Sequence, residues 1–173
     1  MNNTKNLHKE SAVLDNNILQ DLFELGKLDI LFAIFRTISI PKAIYDSEVP
    51  ESIKTVLQKH GFVLSNLETE IGYNLYNNLS VEHEFRNLSH FDKLAISIAK
   101  ESMYYCNSND NLVKKACSKF EVNYIGILGV LKIACENELM SKEELTNLAY
   151  DLASERTSCY MSKKVVDAFI NNL

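Results

Sequence analysis

The stretch SAVLDNNILQDLFEL, residues 11–25, decides the fold of this chain. A short apolar run ends at Asp15, and apolar residues then recur at helical spacing, with Ile18 and Leu22 one turn apart. This order predicts a β-strand, a polar turn and an α-helix. Because Gly26 interrupts the apolar pattern, we predict a second short helix after it.

The same alternation continues along the chain. Four further strands are predicted from runs rich in β-branched and aromatic residues, namely TISIP, FVLSNL, MYYC and VNYIG. Helical patterns separate these runs, and Pro50 divides the helical segment after TISIP into two. Strands that alternate with helices predict a mostly parallel central sheet between two helical layers, which is a three-layer α/β/α sandwich.

The length of 173 residues suits one domain. We predict a flexible N-terminal segment at residues 1–10 and a globular α/β domain at residues 11–140. A soft boundary follows Met140, after which two polar helical segments form a C-terminal extension, residues 141–173, packed on the same domain.

Composition limits the function and the cellular location. The net charge of −5 argues against binding nucleic acid through bulk positive charge, although acids gathered at a metal site would also lower it. No apolar stretch reaches the roughly 18 to 20 residues that cross a bilayer, and the start MNNTKNLHKES lacks the apolar core of a signal peptide. We therefore predict a cytoplasmic protein with no membrane partner. The four cysteines include no CxxC pair, which favours buried, reduced thiols.

Carboxylates occur at separated places in the sequence that could converge at one end of the sheet. They are Asp15, Asp46 and Glu48, Asp92, and Asp110. Asp15 and Asp110 each follow a predicted strand, where the binding crevice of such sheets lies. Each acid also has a purely structural explanation, since Asp110 can cap a helix and Asp92 can complete a capping box with Ser89.

A cluster of such acids implies a bound cation. Neighbouring carboxylates repel one another by about 1 to 4 kcal/mol per pair in a partly exposed site. Oxygen ligands without His or Cys suit Mg²⁺ or Mn²⁺, which also accept phosphate oxygens as ligands. The sequence therefore predicts an Mg²⁺ or Mn²⁺ site.

The order of the motifs resembles the PIN-domain nucleases. The motifs are AVLDNNIL, a helix led by IP that carries an acid, LSHFDKLAISIAKE, NSNDNLVKKAC and VNYIGILGVL, and together they cover most of the chain. Asp15 with Asn17 fits the opening D-x-N of the family, Asp92 fits the third acid, and Ser108 with Asp110 fits the closing [ST]-x-D. The last strand and helix resemble a bacterial and archaeal branch of toxin-like or nucleic-acid-binding proteins.

The second acid departs from the family pattern. The position where the family places it is Ser47, which Asp46 and Glu48 flank. We select Glu48, because a Glu after an aromatic and apolar helix start is the usual pattern, and Asp46 is the alternative.

The resemblance implies an endoribonuclease that hydrolyses RNA phosphodiester bonds with one or two divalent ions. In this scheme Asp15 and Asp110 bind the main ion, and Asp92 binds it directly or through water. Glu48 orients the attacking water or holds a second ion. Asn17 and Ser108 either support these carboxylates or are ordinary turn residues.

The resemblance also implies partners. They are an RNA substrate, a small protein antitoxin if the chain is the toxin of a toxin–antitoxin or phage-defence system, and a second copy in a homodimer. Phe32 and Phe35 could form the dimer interface or belong to the core. Four lysines near the acids could meet phosphates or form solvated helix faces, namely Lys93, Lys100, Lys114 and Lys115.

Two other functions compete with this one. A non-catalytic PIN-fold module that binds RNA or a protein partner is favoured by the shifted second acid. A flap-nuclease relative that acts on DNA is disfavoured, because the chain has no room for a helical clamp and further DNA-binding insertions.

Overall fold

The computed structural model describes residues 10–173. Within this range the strands are β1 (Ser11–Leu14), β2 (Thr37–Pro41), β3 (Val63–Ser65), β4 (Tyr105–Asn107) and β5 (Tyr124–Ile125). The helices are α1 (Asn16–Glu24), α2 (Ile30–Ile34), α3 (Lys42–Ser47), α4 (Glu51–Leu57), α5 (Glu70–Val81), α6 (His90–Ser102), α7 (Asn111–Lys119), α8 (Ile127–Glu136), α9 (Lys142–Asp151) and α10 (Lys163–Ile170). Of the segment predicted to be flexible, residues 1–9 lie outside the described residues.

The five strands form one parallel sheet in the order β3-β2-β1-β4-β5. Val13 of the central strand lies beside Ser39 of β2 and Cys106 of β4, and Leu14 lies beside Asn107. Helices flank this sheet, which confirms the predicted three-layer α/β/α sandwich. Because β1 and β4 are neighbours, the residues that follow them emerge at the same edge of the sheet.

The core lies between the sheet and the helices that cover its two faces. All four residues of β1 are buried, as expected for a strand covered on both faces. On one face α6 packs against β1, β2 and β4, with α5 and α7 beside it. Elsewhere α8 contacts α1 and α2, and α2 also contacts β2. Phe35 belongs to the core, whereas Phe32 is half-buried and stacks on His60.

The predicted segments agree with the observed ones except at several boundaries. The strand predicted at MYYC begins at Tyr105 and continues to Asn107, because Met103 takes a left-handed conformation that ends α6. The strand predicted at FVLSNL covers only three residues. A short 3₁₀ helix at His83–Phe85 was not predicted.

The C-terminal helices contact the rest of the molecule. Helix α9 packs on α8 and on α10, and Lys27 pairs with Glu144 of α9 at 2.5 Å. Ser158, between α9 and α10, donates hydrogen bonds from its backbone nitrogen and its hydroxyl to Glu24 of α1. The domain boundary at residue 140 stays a prediction.

The cysteines and the helix lengths bear on two further predictions. All four cysteines are free thiols, with Cys106 and Cys117 buried and Cys135 and Cys159 half-buried, so the burial prediction is correct for two of them. Among the helices of residues 10–173, none is both long and apolar enough to cross a membrane.

Candidate active site

Asp15 lies directly after the central strand and is only 6% exposed. It occupies the position before α1, yet its carboxylate makes no capping hydrogen bond to that helix. Its Oδ2 instead accepts hydrogen bonds from the hydroxyl of Ser108 at 3.3 Å and from the side-chain nitrogen of Asn17 at 3.4 Å. Its backbone nitrogen donates to the carbonyl of Asn107 at 3.2 Å. The carboxylate is therefore held by one donor that follows β4, Ser108, and by one donor in α1, Asn17.

The surroundings of Asp15 oppose its ionisation. Burial, together with the negative charges of Asp92 and Glu48, raises the pKa of Asp15 to about 7, although hydrogen bonds from the Asn16 backbone and the Ser108 hydroxyl lower it in part. Two acids from distant parts of the sequence therefore lie close enough to repel this carboxylate.

Asp92 is held at the start of α6 by a reciprocal capping box. Its Oδ2 accepts from the backbone nitrogen of Ser89 at 2.8 Å, and its own backbone nitrogen donates to the Ser89 hydroxyl at 3.0 Å. The predicted capping box is therefore present. It also fixes the direction of a half-buried carboxylate whose charge reaches both Asp15 and Glu48.

Glu48 follows α3 and lies on the surface beside Asp92. Partial burial raises the pKa of Glu48, and the charge of Asp92 raises it too. Asp46 is exposed and pairs with Lys42 at 2.5 Å. Of the two acids that flank Ser47, Glu48 is the one whose charge raises the pKa of Asp15.

Asp110 caps α7 and is linked to Asp15 through Ser108. Its Oδ1 accepts from the backbone nitrogens of Leu112 at 2.6 Å and Val113 at 3.1 Å. Its own backbone nitrogen donates to the Ser108 hydroxyl at 3.2 Å, and that hydroxyl donates to Asp15. The Ser108 hydroxyl thus connects the carboxylate of Asp15 to the backbone of Asp110, whose own carboxylate is exposed and turned to the start of α7.

Several basic and aromatic side chains near the acids have protein partners. Lys115 pairs with Glu84 at 2.7 Å, and Lys100 donates to the carbonyl of Phe120 at 2.9 Å. These contacts account for the positions of both lysine side chains without a bound phosphate. The Nζ atom of Lys114 lies 5.5 Å from the ring centre of Tyr124. Nδ1 of His90 is within hydrogen-bond distance of the Tyr76 hydroxyl, at 2.7 Å. Lys93 is half-buried.

Sequence reasoning missed four polar residues near the site. The amide oxygens of Asn16 and Asn107 are buried and have no hydrogen-bond partner within residues 10–173. Asn109 donates to the buried carboxylate of Asp21 at 3.0 Å. The signal that could have indicated the three asparagines is the concentration of Asn in the stretches DNN and NSND. We interpreted these stretches as ordinary polar turns.

The donor set suits a hard divalent cation. Every acid gathered here offers carboxylate oxygen, the kind of ligand that Mg²⁺ and Mn²⁺ prefer. Across residues 10–173, no group of three or more His, Cys, Asp or Glu side chains is already arranged to hold a metal ion. Carboxylates that repel one another are expected to stand apart until a cation draws them together. Burial is the main cause of the raised pKa of Asp15, and repulsion from Asp92 and Glu48 adds to it.

Comparison with known proteins identifies the fold family. The family model described as PIN domain matches residues 11–173. The match includes the two C-terminal helices as well as the sheet. No curated protein matches the sequence.

Proposed function

Because the chain belongs to the PIN-domain family, whose members are generally nucleases and typically use divalent metals, we propose that it is a divalent-metal-dependent endoribonuclease. The observation that supports this proposal most strongly is the environment of Asp15. A buried carboxylate beside Asp92 and Glu48, with its pKa raised to about 7, is costly to keep unless a cation compensates the charge.

We propose that Asp15 and Asp110 would hold the ion, with Asp92 binding it directly or through water. Ser108 would keep Asp15 in place, since its hydroxyl donates to Oδ2 of Asp15 at 3.3 Å. The cap that Asp110 forms on α7 would fix the direction of its carboxylate through Oδ1. Asn17 would donate the second hydrogen bond to Asp15.

Hydrolysis needs a nucleophile, a path for its proton and compensation of negative charge. A bound Mg²⁺ or Mn²⁺ would lower the pKa of a water molecule and would compensate negative charge on the phosphate. Glu48 would accept a proton from the attacking water, because its carboxylate is exposed to solvent and its pKa is raised. The products implied by the family mechanism carry a 5′-phosphate and a 3′-hydroxyl.

Cleavage of RNA with matched variants tests the proposal. Single-stranded RNA of mixed sequence is incubated with the protein and Mn²⁺, Mg²⁺ or a chelator. We expect metal-dependent cleavage that is lost in Asp110→Asn, a change that keeps a side-chain oxygen to cap α7. Asp29→Asn is the matched control, since Asp29 is exposed and its side chain makes no capping bond to α2. Cleavage that survives the chelator or Asp110→Asn would contradict the proposal.

The alternative is a non-catalytic module that binds RNA or a protein. The observation that favours it is the shifted second acid, since Ser47 occupies the position of that acid and the flanking Asp46 and Glu48 are both exposed. If the protein and the Asp110→Asn variant both bind RNA and neither cleaves it with Mn²⁺ present, the module is the better account.

The proposal extends to partners and location. The substrate would be RNA in the cytoplasm, and a short antitoxin would cover Asp15, Glu48, Asp92 and Asp110 if the chain acts as a toxin. A homodimer interface would use half-buried Phe32 rather than Phe35, which belongs to the core. The molar mass of the protein alone, measured by light scattering, would test the homodimer. The same measurement with the product of a neighbouring open reading frame added would test the antitoxin.

A further inference from the structure

One side chain ties the loop that carries Ser108 and Asp110 to two helices. Asn109 lies between these two residues, and its Nδ2 donates to Oδ2 of Asp21 on α1 at 3.0 Å. Its Oδ1 accepts from the backbone nitrogen of Ile127 at the start of α8 at 2.8 Å. The two ends of one amide therefore bridge helices that are distant in the sequence.

Asp21 is an unusual residue at its position. It is 4% exposed and shares α1 with the core residues Ile18 and Leu22. A buried carboxylate is costly unless donors satisfy it. Burial raises the pKa of Asp21, and hydrogen bonds from the thiol of Cys159 and the amide of Asn109 offset only part of that rise.

The space around Asn109 is tight on the α8 side. A Cβ atom added at Gly126 would lie 3.0 Å from Oδ1 of Asn109, closer than such contacts normally are. The missing side chain of Gly126 thus leaves room for the Asn109 amide to lie against the start of α8, between two residues of the candidate site. These two residues are Ser108, which donates to Asp15, and Asp110, which caps α7.

From these contacts we infer that Asp21 and Asn109 are positioning residues that hold the loop of Ser108 and Asp110 in the geometry needed to bind the ion. The inference rests on the proposed function, since the ion is part of that proposal. Asp21 acts through Asn109 and touches neither substrate nor metal. Removing such supporting groups typically weakens metal binding or activity by about 10- to 100-fold.

Glu24 provides a matched control on the same helix. It lies almost one turn after Asp21, and its carboxylate accepts from the backbone nitrogen of Ser158 at 2.6 Å and from the Ser158 hydroxyl. It therefore holds the C-terminal segment, as Asp21 does through Cys159, but makes no hydrogen bond to Asn109. A change at Glu24 separates docking of that segment from positioning of the loop.

The test measures binding of Mn²⁺ alone, by calorimetry, for the full chain and its variants. Asp21→Ala is expected to weaken Mn²⁺ binding at least about tenfold. Asp21→Asn keeps an oxygen that can accept from Asn109, so it should stay within about threefold of the unmodified protein, as should Glu24→Ala. Asp21→Leu fills the site with an apolar side chain and replaces Asp21→Ala if that variant does not fold.

Hydrogen exchange gives a second readout that needs no metal. The backbone nitrogens of Leu112 and Val113 donate to Asp110, so they report on the end of the loop. We expect faster exchange at both in Asp21→Ala or Asp21→Leu, with exchange at Val13 in the central strand unchanged.

The two readouts keep failure of the inference apart from failure of the proposed function. If folded Asp21→Ala or Asp21→Leu matches the unmodified protein in Mn²⁺ binding and in exchange, the positioning role is wrong. If the unmodified protein binds no Mn²⁺ and cleaves no RNA, the proposed function is wrong, and exchange alone then decides whether Asp21 holds the loop.

Discussion

Replacement of Asp15 by Asn should stabilise the metal-free protein, and the effect should depend on pH. The pKa of Asp15 is about 7 in the folded protein, against an ordinary value of 3.8. Each pH unit between two such values corresponds to about 1.4 kcal/mol. The ionised Asp15 therefore costs the folded state about 4 kcal/mol relative to the unfolded chain above pH 7.

The sign follows from which state loses its proton first. As pH rises from about 4, Asp15 ionises in the unfolded chain but stays protonated in the folded protein, because burial and then Asp92 oppose its charge. The folded protein thus binds more protons in this window, so its stability falls as pH rises. Above pH 7 the loss levels off, since Asp15 is then ionised in both states.

Urea unfolding in a chelator, at several pH values between 4 and 9, measures this effect. The free energy of unfolding of Asp15→Asn should equal that of the unmodified protein near pH 4 and exceed it by about 4 kcal/mol at pH 8. Asp29→Asn, at an exposed site, should show no such trend. A difference between Asp15→Asn and the unmodified protein that is the same at every pH would refute the reasoning. Saturating Mn²⁺ should reverse the order, since only the unmodified protein would bind it tightly.

Three further predictions follow from the structure. Glu48→Gln should lower the single-turnover rate of RNA cleavage about 100-fold, whereas Asp46→Asn should change it less than about twofold, because Asp46 pairs with Lys42 at the surface. The rates are measured at saturating RNA, and a larger loss in Asp46→Asn than in Glu48→Gln would exchange the two roles. Asp110→Ala should lower the free energy of unfolding by about 1 kcal/mol more than Asp110→Asn, since Ala cannot cap α7; equal urea midpoints would contradict that. Phe85→Ala should lower the free energy of unfolding by about 3 to 5 kcal/mol, because Phe85 is fully buried. A loss under about 1 kcal/mol by the same measurement would contradict this, since it would show that the neighbouring side chains fill the cavity.

The sequence contained enough information for the central part of the fold. An apolar run followed by residues at helical spacing marks the passage from β1 to α1, because strand and helix periodicities differ. The Ser89 and Asp92 pair was recognisable because a capping box is a local pattern of fixed spacing. The same holds for Asp110, which directly precedes a helical pattern and caps it.

Other features depend on contacts between distant residues. The burial of Asp21 was not predicted, because nothing near it in the sequence indicates Asn109 as its partner. The selection of Glu48 over Asp46 came from the family pattern and stays a prediction. The sequence could not show that the charge of Glu48 acts on Asp15 and that of Asp92 acts on Glu48, because these residues lie far apart along the chain.

The central claim is that Asp15, Asp92 and Asp110 share a divalent ion at the carboxyl end of the sheet. Anomalous diffraction from crystals soaked in Mn²⁺ tests it most directly, because the signal locates the ion independently of activity. We predict a single strong peak about 2 Å from a carboxylate oxygen of Asp15 and within reach of Asp92 and Asp110. No peak at Asp15 under saturating Mn²⁺, or an unchanged peak in the Asp15→Asn variant, would contradict the account.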